Sequence, residues 1–441
     1  MNWHALATVA SVDPSAAELR SATGELRGLP LDDVVDGIVR WRVDELALAN
    51  LRSVGVGELA NRLQDMWITE ERRLAKAIPV TVELLPAVRA MGGRVIKGLA
   101  VRDKYPRPEL RHMGDVDVQV PDWPTALRIC RWLRERRWCW ETSEYPWLKW
   151  DEHGQIYGQL TFVLPDNIEP FARVDLHIGP FSVGHSGLLP LVGWRPGLAL
   201  DAEVTVPDIE TSVALVVAHA VGDGLLSMKD VNDLYVLLTK ARPDWTSVVE
   251  LCRAAGVTEA LHVLLAACRE VYPTLGLPWT LTNGRRPLRD GTTGGPLSLT
   301  EESRERRAGR VARLAFRDER ARGQGVLRSF GQALSARRYY RADLTPRTVQ
   351  SGADGSTPGT PGRGRCWRLL PQETWTGLPT PSGPGGDASA EPREIELAAG
   401  LTLVTRHQAM AVAIDKDVML PTVWGTVHPE SVELARELVL P

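Results

Sequence analysis

Residues 95–120 read VIKGLAVRDKYPRPELRHMGDVDVQV, and the chain is organised around this stretch. At its end Val116, Val118 and Val120 alternate with Asp115, Asp117 and Gln119, the two-residue period of a strand with one apolar and one polar face. Asp115 and Asp117 therefore point the same way, roughly 6 to 7 Å apart along the strand. Like charges at that spacing repel, and holding both beside an apolar row is costly unless a cation compensates. A solvated edge strand that happens to carry two acids is the plain alternative.

Just before the acids lies YPRPELRHMGD, whose prolines forbid a regular helix and whose Arg107, Arg111 and His112 bring cations close in sequence. Further upstream, Arg94 to Leu99 reads as a short strand running into Gly98. A residue without a side chain lets something approach the backbone closely, and Lys97 beside it supplies a point charge suited to phosphate. An ordinary turn glycine next to a surface lysine fits the same residues.

The rest of the chain provides context. With 441 residues, 44% hydrophobic and 24% charged, it has the composition of a soluble protein of two or three domains. Its formal net charge of −3 points to no particular partner. Cys130, Cys139, Cys252, Cys268 and Cys366 contain no CxxC pair, which argues against a zinc knuckle and favours buried free thiols in a reducing compartment. The first residues lack a basic start followed by an unbroken apolar core, and no apolar run reaches membrane-spanning length. The expectation is a cytoplasmic protein without a membrane partner.

Taken in order, residues 1–90 form a helical region, with amphipathic spacing at Leu31, Val34, Val35, Ile38 and Val39 and at Leu59 to Ala77. Pro79 is expected to interrupt it before a further short helix at Val80 to Ala90. Residues 91–208 form a core domain. After the acidic strand, Pro124 sits near the first turn of a helix running to about Arg137, whose Leu127, Cys130 and Leu133 face inward and whose many arginines read as a solvated face. Trp138, Trp140, Tyr145, Trp147, Trp150 and Tyr157 form an aromatic run, either core or a stacking wall.

Tyr157 to Leu164 and Ala172 to Ile178 read as two strands. In the second, ARVDLHI, Asp175 and His177 share the face opposite Val174, Leu176 and Ile178. If this strand lies beside the first, Asp175 joins Asp115 and Asp117. Three convergent carboxylates are a divalent-metal arrangement, because hard oxygen ligands hold magnesium while its other positions take phosphate oxygens. Asp175 also suits a structural pairing with Arg173 or His177.

Pro180 to Pro207, with four glycines, reads as an irregular loop. Residues 209–350 form a helical lobe with a basic end. His219 closes an apolar run, and Lys229, Asp230 and Asp233 fall at helical spacing on one face. They suit either a substrate-facing group or a helix-surface ion-pair set, and His219 suits a packed core position. Residues 301–350 hold 13 Arg against 6 acids, a basic helical element with an RNA or DNA role as its sharper reading. Residues 351–390 contain 15 Gly or Pro and read as a linker, with Cys366 to Leu370 able to dock locally. Residues 391–441 supply two or three short strands and a final helical turn, a small β-containing accessory region. The chain has no GxSxG and no GxxxxGK[ST] run.

Together, Lys97-Gly98, Arg111, the Gly114-Asp115-Val116-Asp117 segment, Val174-Asp175-Leu176-His177 and the Lys229-Asp230-Val231-Asn232-Asp233 helix resemble a bacterial nucleotidyltransferase-like family. That family falls within the superfamily that includes DNA polymerase beta and the aminoglycoside nucleotidyltransferases. The resemblance covers about residues 60 to 270. It implies an α+β fold with a small mixed sheet flanked by helices and by N- and C-terminal helical lobes. It also implies a nucleoside triphosphate donor, ATP first among them, and two magnesium ions, with manganese as the alternative.

On this resemblance Asp115, Asp117 and Asp175 are catalytic and bind the metal, and Lys97, Gly98, Arg111, Gly114 and Lys229 bind the nucleotide. His112, His177, His219, Asp230 and Asp233 then lie near substrate or behind the ligands. A nucleoside monophosphate passes to a hydroxyl or similar group on a small molecule or peptide, and pyrophosphate leaves. Leu99 stands where the superfamily commonly has Gly or Ser, so either Lys97 takes over part of the phosphate contact or triphosphate binding is altered. Two other functions fit the same residues: a toxin-like transferase acting on tRNA, and a degenerate module that binds a nucleotide, peptide or protein partner. The oligomeric state stays open.

Overall fold

The computed structural model describes residues 3–141, 146–150, 155–165, 170–183, 187–223, 227–277, 366–372, 391–406, 409–422 and 429–439. The basic stretch 301–350 and most of the 351–390 linker lie outside these residues, as does Tyr145. The fold is α+β, as the sequence implies. The chain divides into two compact units. The first takes residues 1–90, 94–117 and 187–304, and the second 91–93, 118–186 and 305–441.

The first unit begins with helices α1 (Trp3–Val9), α2 (Ala16–Leu26), α3 (Leu31–Arg40), α4 (Asp44–Ser53) and α5 (Gly57–Ala90). Ser15 starts α2 with a capping box, accepting from Glu18 N while Glu18 accepts from Ser15 N. The apolar spacing in α3 buries Val34, Val35 and Ile38. Pro79 does not break the helix as expected: α5 runs through both Pro79 and Pro86. Each proline removes one backbone donor, but Leu84, Leu85 and Val88 remain fully buried on one face, and the Thr81 hydroxyl donates 2.8 Å to Ala77 O. Packing of that face outweighs the lost bonds.

β1 is only Arg94–Val95, and Lys97 starts α6 (Lys97–Arg102), so Gly98 sits in a helical first turn rather than at the end of a strand. A short 3-10 turn at Pro108–Leu110 follows, and β2 (Val116–Val120) begins in this unit.

The first unit resumes at residue 187. Where an irregular loop is expected, β9 (Trp194–Ala199) and β10 (Ala202–Pro207) form an antiparallel hairpin with Ala199 opposite Ala202. Leu200 and Asp201 both take left-handed φ values, 49° and 62°. Such turns usually announce themselves with Asn-Gly or Asp-Gly, so Leu-Asp gave no signal. Gly197, opposite Val204, leaves room for the Val206 side chain diagonally across the pair, where a Cβ would come within 2.7 Å of Val206 Cγ2.

Helices α8 (Ile209–Asp223), α9 (Met228–Lys240), α10 (Trp245–Ala254) and α11 (Thr258–Val271) complete the unit. The N-terminal helices are pinned to them by a buried chain of hydrogen bonds. Tyr272 OH donates to Asn232 Oδ1 at 2.6 Å and accepts from Val12 N at 2.8 Å, while Asn232 Nδ2 donates to Ala10 O at 2.8 Å.

In the second unit the rest of β2 leads to α7 (Trp123–Glu135), capped by Asp122, which accepts from Thr125 N at 2.8 Å. A sheet follows from β3 (Cys139–Trp140), β4 (Trp147–Trp150), β5 (Ile156–Leu164) and β6 (Ala172–Ile178), with β7 (Phe181–Val183) after it; β8 (Gly187–Leu189) belongs to the first unit. Its order is β2, β6, β5, β4, then β11 (Cys366–Leu370), β15 (Asp417–Thr422), β14 (Ala409–Ile414), β13 (Leu401–Arg406) and β12 (Arg393–Ala398), with β3 also on β5.

β11 is the bridge, pairing with β4 on one side and β15 on the other, so the C-terminal strands extend the sheet. Helix α12 (Pro429–Val439) covers β14 and β15 through Val432, Leu434 and Ala435. The arginines of α7 are not simply solvated. Arg131 pairs with Asp415 at 2.5 Å and Arg134 with Asp417 at 3.3 Å, where β14 turns into β15. Among the described residues the thiols of Cys130, Cys139, Cys252 and Cys268 are free, and burial pushes Cys252 up to about 12. No helix among them is long and apolar enough to cross a membrane.

Candidate functional site

The acidic strand begins one residue later than the alternation implies, at Val116, and its setting is buried rather than solvated. Every residue of β2 is buried, including Asp117 and Gln119, while Asp115 just before it is half-buried. Asp117 is tied to the lysine-glycine turn twice. Its carbonyl accepts from Ile96 N at 3.0 Å, and its Oδ1 receives Lys97 Nζ at 2.6 Å. Lys97 holds this position in the left-handed region at φ 54°, which costs a residue with a Cβ roughly 1 kcal/mol or more. Strain at a lysine whose ammonium meets a buried carboxylate marks a constrained position.

Gly98 has a specific occupant. A Cβ on it would lie 2.5 Å from Arg111 Nη1, so the missing side chain makes room for that guanidinium. Leu99 next to it is fully buried, which explains an apolar residue after the glycine: it packs α6.

Arg111 itself is buried and committed. Its Nε and Nη2 donate to the two oxygens of Asp233 at 3.2 and 2.8 Å, and Nη1 donates to His112 O. Burial alone would pull the guanidinium down, but Asp233 more than offsets this and holds it above its ordinary value. Tyr105 OH donates to the same Asp233 Oδ1 at 2.7 Å. Burial and the Asp233 charge raise the Tyr105 phenol well above its ordinary value.

One helical turn away, Asp230 closes the Ser227 capping box. It accepts from Ser227 Oγ at 2.6 Å, while Lys229 Nζ lies 3.6 Å and His219 Nδ1 3.3 Å from its Oδ1. Burial opposes ionisation, yet Lys229, His219 and Ser227 together hold its carboxyl well below the usual range. Lys229, Asp230 and Asp233 are thus buried members of one charge network rather than an exposed helix-face set. Tyr105 belongs to it too. A lone aromatic in a proline loop carries no pattern that marks it in the sequence.

The loop that delivers Asp115 is fixed at successive residues. After Arg111, His112 Nδ1 lies 2.9 Å from Glu45 Oε1, and Met113 O accepts from Arg73 Nη2. Gly114 then passes His112, where a Cβ would stand 3.6 Å from Nε2. Asp44 neighbours Glu45 at the start of α4, and burial together with the Glu45 charge pushes its carboxyl up to about 7. Nothing in the sequence pattern marked Asp44 and Glu45, which read as ordinary first-turn acids.

In the second unit, Asp175 lies buried on β6 opposite Thr161, and His177 lies opposite Gln159. Gln159 Nε2 donates 2.7 Å to Asp175 Oδ2, and Arg173 Nε donates 3.1 Å to its Oδ1. Arg173 is one of the two structural partners that fit the sequence, the other being His177, whereas Gln159 carries no mark there. Trp147 Nε1 donates to Gln159 Oε1 at 3.2 Å, so the aromatic run orients the amide that orients Asp175. Trp138, Trp140 and Tyr157 are core, with Trp140 and Phe162 centroids 4.1 Å apart. His177 packs its ring 5.2 Å from that of Phe181. At the far end of β2, Val120 O accepts from Gly179 N at 3.0 Å, so this segment runs beside the end of β6.

A family model described as an uncharacterised nucleotidyltransferase matches residues 31–273, more than half of the chain. No curated protein and no solved structure matches.

Proposed function

The chain belongs to the uncharacterised nucleotidyltransferase family, and on that premise we propose that it transfers a nucleoside monophosphate from a nucleoside triphosphate, ATP first among them, to a hydroxyl or similar group of a small molecule or peptide. The observation that carries this reading is the setting of Asp117. A carboxylate inside a strand with both faces buried is costly. Here it is clasped by Lys97 at 2.6 Å, beside a glycine whose open side holds Arg111. A strand with only a structural role has no use for that expense.

Asp115, Asp117 and Asp175 provide hard carboxylate oxygens, a donor set that fits magnesium, with manganese the alternative. When bound, such ions polarise the phosphate oxygens and acidify the acceptor hydroxyl. Support for Asp175 as the third acid comes from the sequence resemblance; within the second unit its strand β6 neighbours Val118–Val120.

The remaining roles belong to the protein's own side chains. Lys97, a compact charge on a flexible stem, exchanges Asp117 for a phosphate oxygen when the triphosphate enters. Arg111 and Lys229 stay with Asp233 and Asp230, holding the loop before Asp115 while lending it positive potential. Asp175, oriented by Gln159 and Arg173, takes the acceptor proton. The acceptor oxygen bonds to the α-phosphorus, the bond from that phosphorus to the bridging oxygen breaks, and pyrophosphate departs in line.

The test is label transfer from each α-labelled triphosphate, with magnesium, to pooled small-molecule and peptide acceptors. Asp117→Asn, folded by circular dichroism, is expected to lose at least about a hundredfold of the transfer, the scale on which a charge-stabilising group acts. Parental transfer by that variant would overturn the assignment.

A further inference from the structure

A second group of metal-ligating side chains lies in the first unit and shares no residue with the three aspartates. Asp44, Glu45 and His112 each offer a ligand atom, and these atoms lie within 4.8 Å of one another. We infer that they form a binding site for one first-row divalent cation, with zinc the best match to two carboxylates and an imidazole.

Nearness of acids alone would not carry this. The deciding observation is Glu45, whose side chain is 98% buried and whose Oε2 has no hydrogen-bond partner among the described residues. Its other oxygen meets His112 Nδ1 at 2.9 Å, so the carboxylate lies within the cluster with one oxygen unsatisfied. A buried acceptor left in that state carries its full desolvation penalty, larger still when charged. The N-terminal position on α4 favours negative charge but supplies no bond to that oxygen.

Donor chemistry selects the ion. Imidazole with carboxylates suits zinc and its first-row neighbours, whereas calcium and magnesium prefer all-oxygen sets. Ligands held at about 2.0 to 2.2 Å from one ion lie at most about 4.4 Å apart, so the present spread closes with a movement of a few tenths of an ångström. Room exists on the histidine's other side, where Gly114 presents no side chain to Nε2.

The site would act on position rather than on chemistry. His112 lies between Arg111, held by Asp233, and Met113, held by Arg73. A cation there ties α4 to the loop that ends at Asp115.

To keep the sites apart, the full chain carrying both Asp117→Asn and Asp175→Asn is stripped of metal and titrated with zinc by calorimetry. Its cobalt derivative is then examined for visible absorption. One equivalent of zinc is expected, with cobalt bands of a low-symmetry nitrogen and oxygen site. Adding Glu45→Gln, or separately Asp44→Asn, should abolish that equivalent and the bands. Asp44 is only half-buried, so Asp44→Asn decides the matter if Glu45→Gln does not fold. Zinc bound with parental stoichiometry and affinity by folded Asp44→Asn would overturn the inference, and so would absence of zinc uptake by the parent.

Discussion

Asp230 and Asp233, one turn apart on α9, and Asp44 and Glu45, adjacent at the start of α4, are withdrawn from water in the same unit, yet they are treated oppositely. The α9 pair is fully answered: Arg111, Tyr105, Lys229, His219 and Ser227 all lie against its four oxygens. The α4 pair meets the His112 imidazole, and among the described residues Glu45 Oε2 has no hydrogen-bond partner. Glu45 is as buried as Asp230 and Asp233, with only Asp44 half-buried, so burial is not what separates Glu45 from the α9 acids. Completeness of pairing is, and it predicts that the first pair is scaffold while the second awaits a ligand.

The sharpest way to break this contrast is Asp233→Asn. It strands the buried Arg111 guanidinium, and breaking a buried pair from one side costs about 3–5 kcal/mol. Denaturant unfolding should show a loss of that size. A loss below about 1 kcal/mol would mean that Arg111 is readily rehydrated, and the distinction would fail.

Gly98→Ala probes the same network from the other side. Its Cβ would press on a guanidinium that Asp233 prevents from moving away, so overpacking of about 1–3 kcal/mol is expected despite the gain in helix propensity. In the Asp233→Asn background the penalty should shrink, because Arg111 is then able to swing aside.

The two pairs should also respond to pH with opposite sign. Asp230 is held below its ordinary value, so its contribution is present above the usual carboxylate range and is lost as the medium becomes strongly acidic. Asp44 is held above its ordinary 3.8, at about 7, so its protonated form favours the folded state. Its contribution is whole below 3.8 and declines as pH rises towards 7. Carboxyl-carbon NMR titration reads both directly. In Glu45→Gln the Asp44 value should drop towards normal, since a like charge is removed.

The smallest effect belongs to the surface. Arg134→Ala removes a partly exposed pair with Asp417 and should change stability by less than about 1 kcal/mol, which sets the scale against which Asp233→Asn stands out.

Much of the proposed site could be read without coordinates. The alternation through Asp115 to Val120 and through Ala172 to Ile178 named the two acid-bearing strands, because a two-residue period is a local property of the backbone. Lys97, Gly98, Arg111 and the Lys229 to Asp233 helix were singled out by residue type and spacing. What failed was local as well: Pro79 looked like a stop because its cost is visible in sequence, while the buried face that offsets it is not. Leu200-Asp201 hid a tight turn, since two residues with side chains seldom take left-handed φ.

The sequence by itself determined the α+β class, the acidic strand and the identity of the residues that meet around Asp117. Only the tertiary structure decided who partners whom. Gly98 is there for Arg111, Arg111 belongs to Asp233 from a helix more than a hundred residues later, and Glu45 has one oxygen unanswered among the described residues. The reason is physical: period and propensity act over a few residues, whereas the cost of a buried charge depends on what the folded chain brings within about 3 Å of it.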